Sequence, residues 1–178
     1  MSNASQRILI TVGEQVVRHW RKGKEKADYR YPNQGELRSL LIKQKFTSRQ
    51  SNNALHYLYR RGYLIKIDAP KDDKSIIKLT AKGAIQFLKY CPLVTDERLR
   101  GGDMSIVVLE IPESSRQIRD FLRHRLTDNG FKALSGGVYV CDRVIHDNFA
   151  FLVFLYKLKE RVTWGQFMPS ADTASIED

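Results

Sequence analysis

FTSRQSNNALHYLYRRGYLI, residues 46 to 65, is the stretch on which the reading of this chain turns. Thr47 and Ser48 are good helix N-caps, because a side-chain oxygen there accepts from an otherwise unpaired N–H of the first turn. Ala54, Leu55 and Leu58 follow at helical spacing and supply one apolar stripe. Arg49, Gln50, Asn52, Asn53, His56 and Arg60 go round the other side, and Gly62 is a natural stop. Asn and Gln side chains can hold adenine through N6 and N7, and Arg can hold guanine through O6 and N7. A short helix with such an outer face reads as a DNA recognition helix. The plainer alternative is a solvated polar face on an ordinary core helix, and the surrounding sequence favours the first reading.

After Gly62 the period changes from helical to alternating. Tyr63 to Ile67 and Ser75 to Leu79 are β-prone runs flanking the polar tip DAPKDDK, which predicts a hairpin with Lys71 and Lys74 at its end. LTAKGAIQFLKY then predicts a helix opened by Thr80, with Ala84, Ile85 and Leu88 facing inward. Upstream, residues 7–20 carry Ile8, Val12, Val16 and Trp20 four apart, a helical period that Gly13 weakens slightly. Residues 21–34 are charged and contain Pro32, so a loop is expected there. A further helix is expected from Glu36 to Lys45, with Leu37, Leu40 and Leu41 inward and Phe46 closing it. The order helix, helix, helix, hairpin, helix predicts a winged helix-turn-helix domain over residues 5–90, its wing lysines beside the phosphate backbone.

On "ALHYLYRRGYLIKI … IIKLTAKGAIQFL", residues 36–90 resemble winged-helix bacterial transcription regulators. Their pattern is a recognition helix, a Gly-hydrophobic strand, and LT-x-K/E-G opening the last helix. That resemblance is specific to a fold and not to an operator.

Charge divides the chain in the same place. Residues 1–100 hold 21 Lys and Arg against 9 Asp and Glu, a net of +12, whereas residues 101–178 hold 9 against 11, a net of −2. The first half therefore has the polyanion-binding character. Hydrophobic content of 42% and charged content of 28% are those of a globular chain. No apolar run approaches the roughly 20 residues that span a bilayer, and the N-terminus lacks the apolar core of a signal peptide, so a cytoplasmic protein without a membrane partner is expected. Cys91 and Cys141 have no Cys or His nearby at zinc spacing and are expected to be reduced, partly buried thiols.

Residues 91–103 (CPLVTDERLRGGD), with a proline, two adjacent glycines and several charges, are expected to be a linker. SIVVLEI reads as a buried strand ended by Pro112, and a helix follows to about Asp128 with Ile118, Phe121, Leu122 and Leu126 on one face. Asn129-Gly130 stops it. FKAL and GVYV are short strands, residues 144–158 an aromatic-rich helix, and RVTWGQF a last strand. The order β-α-β-β-α-β over residues 104–167 predicts a ferredoxin-like domain, followed by a tail at 168–178.

The stretch VVLEIPESSRQIRDFLRHRLTDNGFKALSGGVYV resembles the middle domain of the PaaX-like repressors, itself similar to the small CRISPR-associated ferredoxin-fold endonucleases. Those repressors carry a further C-terminal domain, and the expectation from this sequence is a relative lacking it. The nucleases usually place Asp at the end of the first strand, where this chain has Glu110. The resemblance therefore implies that Glu110 is the catalytic and metal-binding candidate, pairing with its twofold mate to hold Mg²⁺ or Mn²⁺. The alternative is that Glu110 caps the strand end or pairs with Arg116. Asp142 is a weaker second carboxylate, expected in a turn, and Arg116, Arg119 and Arg123 are expected on a solvated face.

The fold expected is thus α+β, a winged helix-turn-helix followed by a ferredoxin-like dimerisation domain. The function expected is a sequence-specific, repressor-like regulator that binds double-stranded DNA as a homodimer and needs no cofactor to do so. The alternative is a Mg²⁺-dependent nuclease using the second domain. No residue identifies a small-molecule effector.

Overall fold

A computed structural model describes residues 1–23, 34–67 and 76–168. The centre of the expected charged loop, the hairpin tip with Lys71 and Lys74, and nearly all of the tail lie outside the described residues. The chain divides into two compact units, Met1–Cys91 and Pro92–Asp178. No helix among the described residues is long and apolar enough to cross a membrane.

In the first unit, α1 (Asn3–Gly23) buries Ile8, Leu9, Val12, Val16, Val17 and Trp20. Helix α2 (Gln34–Lys43) buries Leu37 and Leu41 completely, while Leu40 stays half-exposed. It stops two residues before the sequence suggests. Lys45 takes a left-handed conformation (φ 62°), and the Phe46 N–H turns back onto the Leu41 carbonyl at 3.1 Å. Helix α3 (Ser48–Arg60) follows at once and buries Ser51, Ala54, Leu55 and Leu58.

Helix α3 ends in a Schellman motif. The Gly62 N–H donates to the Tyr59 carbonyl and the Tyr63 N–H to the Leu58 carbonyl, each at 2.9 Å, with Gly62 at φ +68°. The chain leaves as β1 (Leu64–Ile67), which pairs antiparallel with β2 (Ile76–Leu79) in the register Leu64↔Leu79 to Ile67↔Ile76. Helix α4 (Ala81–Leu88) closes the unit.

A short clasp holds the end of α3 to the start of α4. The Thr80 N–H donates to the Tyr63 carbonyl at 3.1 Å, and its hydroxyl donates to the Gly62 carbonyl at 2.7 Å. The same hydroxyl accepts from the Gly83 N–H at 2.9 Å, capping α4. Lys82 Nζ donates to the Arg61 carbonyl at 3.0 Å. Gly83 lies so close that a Cβ there would overlap the Tyr63 carbonyl oxygen.

Within α4 the inward face differs from the one expected. Phe87 is fully buried, whereas Ile85 is 37% exposed. The reason lies in α1: Gly13 leaves a notch that the Phe87 ring fills, and a Cβ at position 13 would collide with that ring. Gly13, read from sequence as a weakness of α1, is what lets α1 and α4 pack.

In the second unit, β4 (Met104–Leu109), a 3₁₀ turn (Glu113–Ser115), α5 (Arg116–Asp128), β5 (Lys132–Ser135), β6 (Val138–Cys141), α6 (Asp147–Leu155) and β8 (Val162–Phe167) make an antiparallel sheet of order β5-β6-β4-β8 with two helices. This is the ferredoxin-like β-α-β-β-α-β arrangement. The stretch expected to be linker contains β3 (Val94–Arg98), which pairs antiparallel with β7 (Arg143–Ile145). Pro92 and Leu93 are tied to this unit too. The Leu93 N–H donates to Asn129 Oδ1 at 2.8 Å, and the Leu93 carbonyl accepts from the His146 N–H at 2.8 Å. The Pro92 carbonyl accepts from Asn148 Nδ2 at 2.8 Å.

Strand β4 is not buried on both faces. Ser105, Val107 and Leu109 face inward, while Ile106 and Val108 are half-exposed and Met104 is exposed. Neither Cys91 nor Cys141 is in a disulfide, and both are buried. Burial pushes the Cys141 thiol up, and its Sγ donates to the Arg143 carbonyl oxygen at 3.4 Å.

The clasp gives a direct prediction. Gly83→Ala is expected to lower unfolding free energy by about 1–3 kcal/mol, because the obstruction is backbone, and Thr80→Ala by about 1 kcal/mol through loss of the cap. Urea denaturation checks both, and an undiminished Gly83→Ala midpoint would mean that the junction yields freely.

Candidate nucleic-acid interface

The outer surface of α3 is built from its caps inward. Thr47 is the N-cap, and its hydroxyl accepts from the Gln50 N–H at 3.2 Å. Gln50 Oε1 in return accepts from the Thr47 N–H at 3.0 Å, which completes a capping box. Opposite the buried stripe, at about 100° per residue, Arg49, Asn53, His56 and Arg60 form one outward ridge, and all four are exposed. Asn52 is also exposed and flanks that ridge on one side. Gln50 is exposed on the other flank, but its carbonyl oxygen is committed to the cap. The adenine-reading geometry expected of Gln50 requires that oxygen, so the cap competes with it.

The tyrosines on this helix are occupied in packing. Tyr59 is half-buried, and burial raises its phenol above the usual range. The Tyr57 hydroxyl accepts from Arg61 Nε at 3.3 Å, and the guanidinium carbon lies 5.6 Å from the ring centre. Arg61 and Lys82 are two cations at this end of the helix that the sequence reading did not single out. Lys82 lies 5.4 Å from the Tyr63 ring centre while it holds the Arg61 carbonyl, so its role here is to secure the end of α3. The K of the LTAKG pattern was the only signal for it. Lys71 and Lys74 lie outside the described residues.

In the second unit Glu110 is exposed, one residue past β4, and its N–H donates to the Arg161 carbonyl at 2.8 Å. Arg116, offered by the sequence as its partner, instead lies 3.4 Å from Asp120 and 3.9 Å from Glu113. Arg119, expected on a solvated face, is only 17% exposed and pairs with Glu113 at 2.6 Å. Asp142, in the turn after β6, pairs with Arg98 at 3.1 Å. Among the described residues there is no group of three or more His, Cys, Asp or Glu able to hold a metal ion. Any metal on Glu110 would therefore need ligands from elsewhere, such as a second protomer, water or phosphate.

Residues 101–173 match the family model described as the PaaX protein central Cas2-like domain. The match lies within the second unit and does not extend to the first. No curated protein and no solved structure matches the chain.

Capping and recognition are separable by stability. Gln50→Ala is expected to cost about 0.5–1 kcal/mol of unfolding free energy through the capping box, while Arg49→Ala and Asn53→Ala stay within about 0.5 kcal/mol of the parent. Parallel thermal melts of the three variants test this, and equal losses in all three would contradict it.

Proposed function

We propose that this protein is a repressor-like transcription regulator that binds double-stranded DNA sequence-specifically and acts as a homodimer. In this reading the first unit is a winged helix-turn-helix with α3 as its recognition helix. The observation that carries the reading is the ridge of Arg49, Asn53, His56 and Arg60 opposite the buried stripe of a doubly capped helix, with a hairpin directly after it. Asn and Arg on such a ridge offer paired hydrogen bonds to base edges. The net charge of +12 over residues 1–100 supplies the phosphate attraction that any duplex demands. Lys71 and Lys74, outside the described residues, would add to it at the wing. The similarity of residues 101–173 to a PaaX protein domain supports a regulatory role.

The second unit is assigned the pairing of two protomers. One face of its sheet is mainly apolar: Met104, Ile106 and Val108 of β4 stand beside Val138 and Val140 of β6 and Thr163, Gly165 and Phe167 of β8 in register, with Lys132 of β5 next to Val140. Met104 and Phe167 are 42% and 53% exposed. A twofold contact between two such faces buries apolar area from both and spaces two recognition helices.

A second reading, a metal-dependent nuclease, rests on Glu110, exposed just past β4 in the Cas2-like stretch. Its carboxylate would hold Mg²⁺ or Mn²⁺ together with that of a twofold mate, and the metal would supply charge stabilisation at phosphate. DNA binding by the first unit does not depend on it.

Binding to a duplex selected from a random pool tests the main reading. Arg49→Ala and Asn53→Ala are expected to cost about 1–3 kcal/mol at the selected site, and Lys74→Ala to weaken selected and random duplexes alike. Glu110→Gln should bind as the parent does, and any Mg²⁺-dependent cleavage should vanish in it. Parental affinity in all of the first three variants would remove α3 and the wing from the interface.

The dimer is tested by mass in solution. The full chain is expected at twice its 20.6 kDa in light scattering at micromolar concentration, and Ile106→Glu at the monomer mass with its circular dichroism unchanged. A monomeric parent chain would sink the assignment of the sheet face.

A further inference from the structure

We propose that a cleft in the second unit, between the start of α6 and the β4–β8 pair, binds a small neutral compound built on one planar ring with a hydrogen-bonding amide edge. The cleft holds about 210 Å³, below the roughly 300–1,000 Å³ of pockets that take drug-sized ligands. One ring with a short substituent is the size it admits. Its apolar lining is Val144 and Ile145 of β7, Ala150 of α6 and the indole of Trp164. The Phe149 ring meets Trp164 edge to face, with centres 5.4 Å apart and planes at 83°, which fixes the indole while leaving Trp164 37% exposed.

The polar part of the lining is more specific. Ser105 is 0% exposed, lines the cleft, and its hydroxyl has no hydrogen-bond partner among the described residues. A buried hydroxyl without a partner is destabilising, so an occupant that supplies one is favoured there. Gln166 stands directly opposite Ser105 in the β4–β8 register and also lines the cleft, as Trp164 does opposite Val107. The two side chains thus share one sheet face, and both a hydroxyl and a primary amide can donate and accept. An amide on the ligand matches that pair.

The α6 end of the cleft argues for neutrality. His146 is the α6 N-cap, and its Nδ1 accepts from the Asn148 N–H at 3.0 Å. That bond leaves the neutral ring with its proton on Nε2, a single donor. Asp147, in the first turn of α6 and lining the cleft, already sets a carboxylate at the positive end of the helix. An anionic ligand would meet that carboxylate at close range. This assignment stands apart from DNA binding by the first unit, and none of its readouts involves DNA.

The test is a titration of the ¹⁵N-labelled full chain with nicotinamide and benzamide, and with nicotinate and benzoate as their anionic counterparts. The two indole N–H signals separate the site from general effects, since Trp20 belongs to the core of the first unit. We expect saturable shifts of Trp164, Ser105 and Gln166 with the amides, an unshifted Trp20, and binding of the carboxylates at least about tenfold weaker. Ser105→Ala should weaken amide binding about tenfold, the effect of one hydrogen bond, with an unfolding midpoint equal to or above the parent's. Gln166→Ala, at an exposed position, should weaken it without loss of fold. The proposal is overturned by the absence of saturable shifts up to about 10 mM, by carboxylates binding as well as amides, or by undiminished amide binding in both variants. A lowered midpoint in Ser105→Ala also overturns it, since the hydroxyl would then already have a structural partner.

Discussion

The carbonyl oxygens of Gly62 and Tyr63 are the points on which the first unit depends. They accept from Thr80, whose hydroxyl also caps α4. Three elements meet there within a few residues: the end of α3, the start of β1 and the start of α4. Each hydrogen bond contributes only about 1 kcal/mol net, but Gly83 against the Tyr63 carbonyl leaves no room for the elements to slide. The direction of α3 relative to the hairpin is therefore set by backbone geometry. Arg49, Asn53, His56 and Arg60 take no part in that junction and stand exposed opposite the core.

Helix α3 divides its surface by angle. Ser51, Ala54, Leu55 and Leu58 face the core, Thr47 and Gln50 secure the first turn, and Gly62 with Tyr63 ends the last. The ridge opposite the core carries long polar side chains that no packing requirement explains. Gln50 illustrates the competition between the two demands, since its Oε1 already accepts from both the N–H and the hydroxyl of Thr47, which uses both lone pairs. Tyr57 and Arg61 hold one another at the far end, so the basic edge of the helix is positioned by an aromatic side chain.

The second unit is arranged around a sheet that is helix-covered on one side. Inward from β4 come Ser105, Val107 and Leu109, and outward come Met104, Ile106 and Val108. The chain enters this unit through Pro92 and Leu93, which are stitched to Asn129 and to the start of α6 before β3 pairs with β7. The amide of Asn129 serves twice, accepting from Leu93 and donating to the Arg125 carbonyl at 2.7 Å near the end of α5. One side chain thus joins the entry segment to the end of a helix.

The sequence by itself determined the features governed by neighbours along the chain. Thr47 and Thr80 as caps, Gly62 as the left-handed stop and the change of period at Tyr63 all depend on contacts within a few residues. Such contacts leave a direct mark on composition and spacing. Tertiary structure alone decided which of two plausible faces turns inward. Ile85 lost the core position to Phe87 because Gly13, some seventy residues earlier, provides the space for a ring. The charged stretch Val94–Arg98 became a strand because Arg143–Ile145, fifty residues on, offers its hydrogen bonds. SIVVLEI is apolar at nearly every position, yet its alternation between covered and open faces, and a Ser105 hydroxyl without a partner among the described residues, exist only once the helices lie on one side of the sheet. These are pairings between distant segments, and no local pattern of residues encodes what the distant partner will offer.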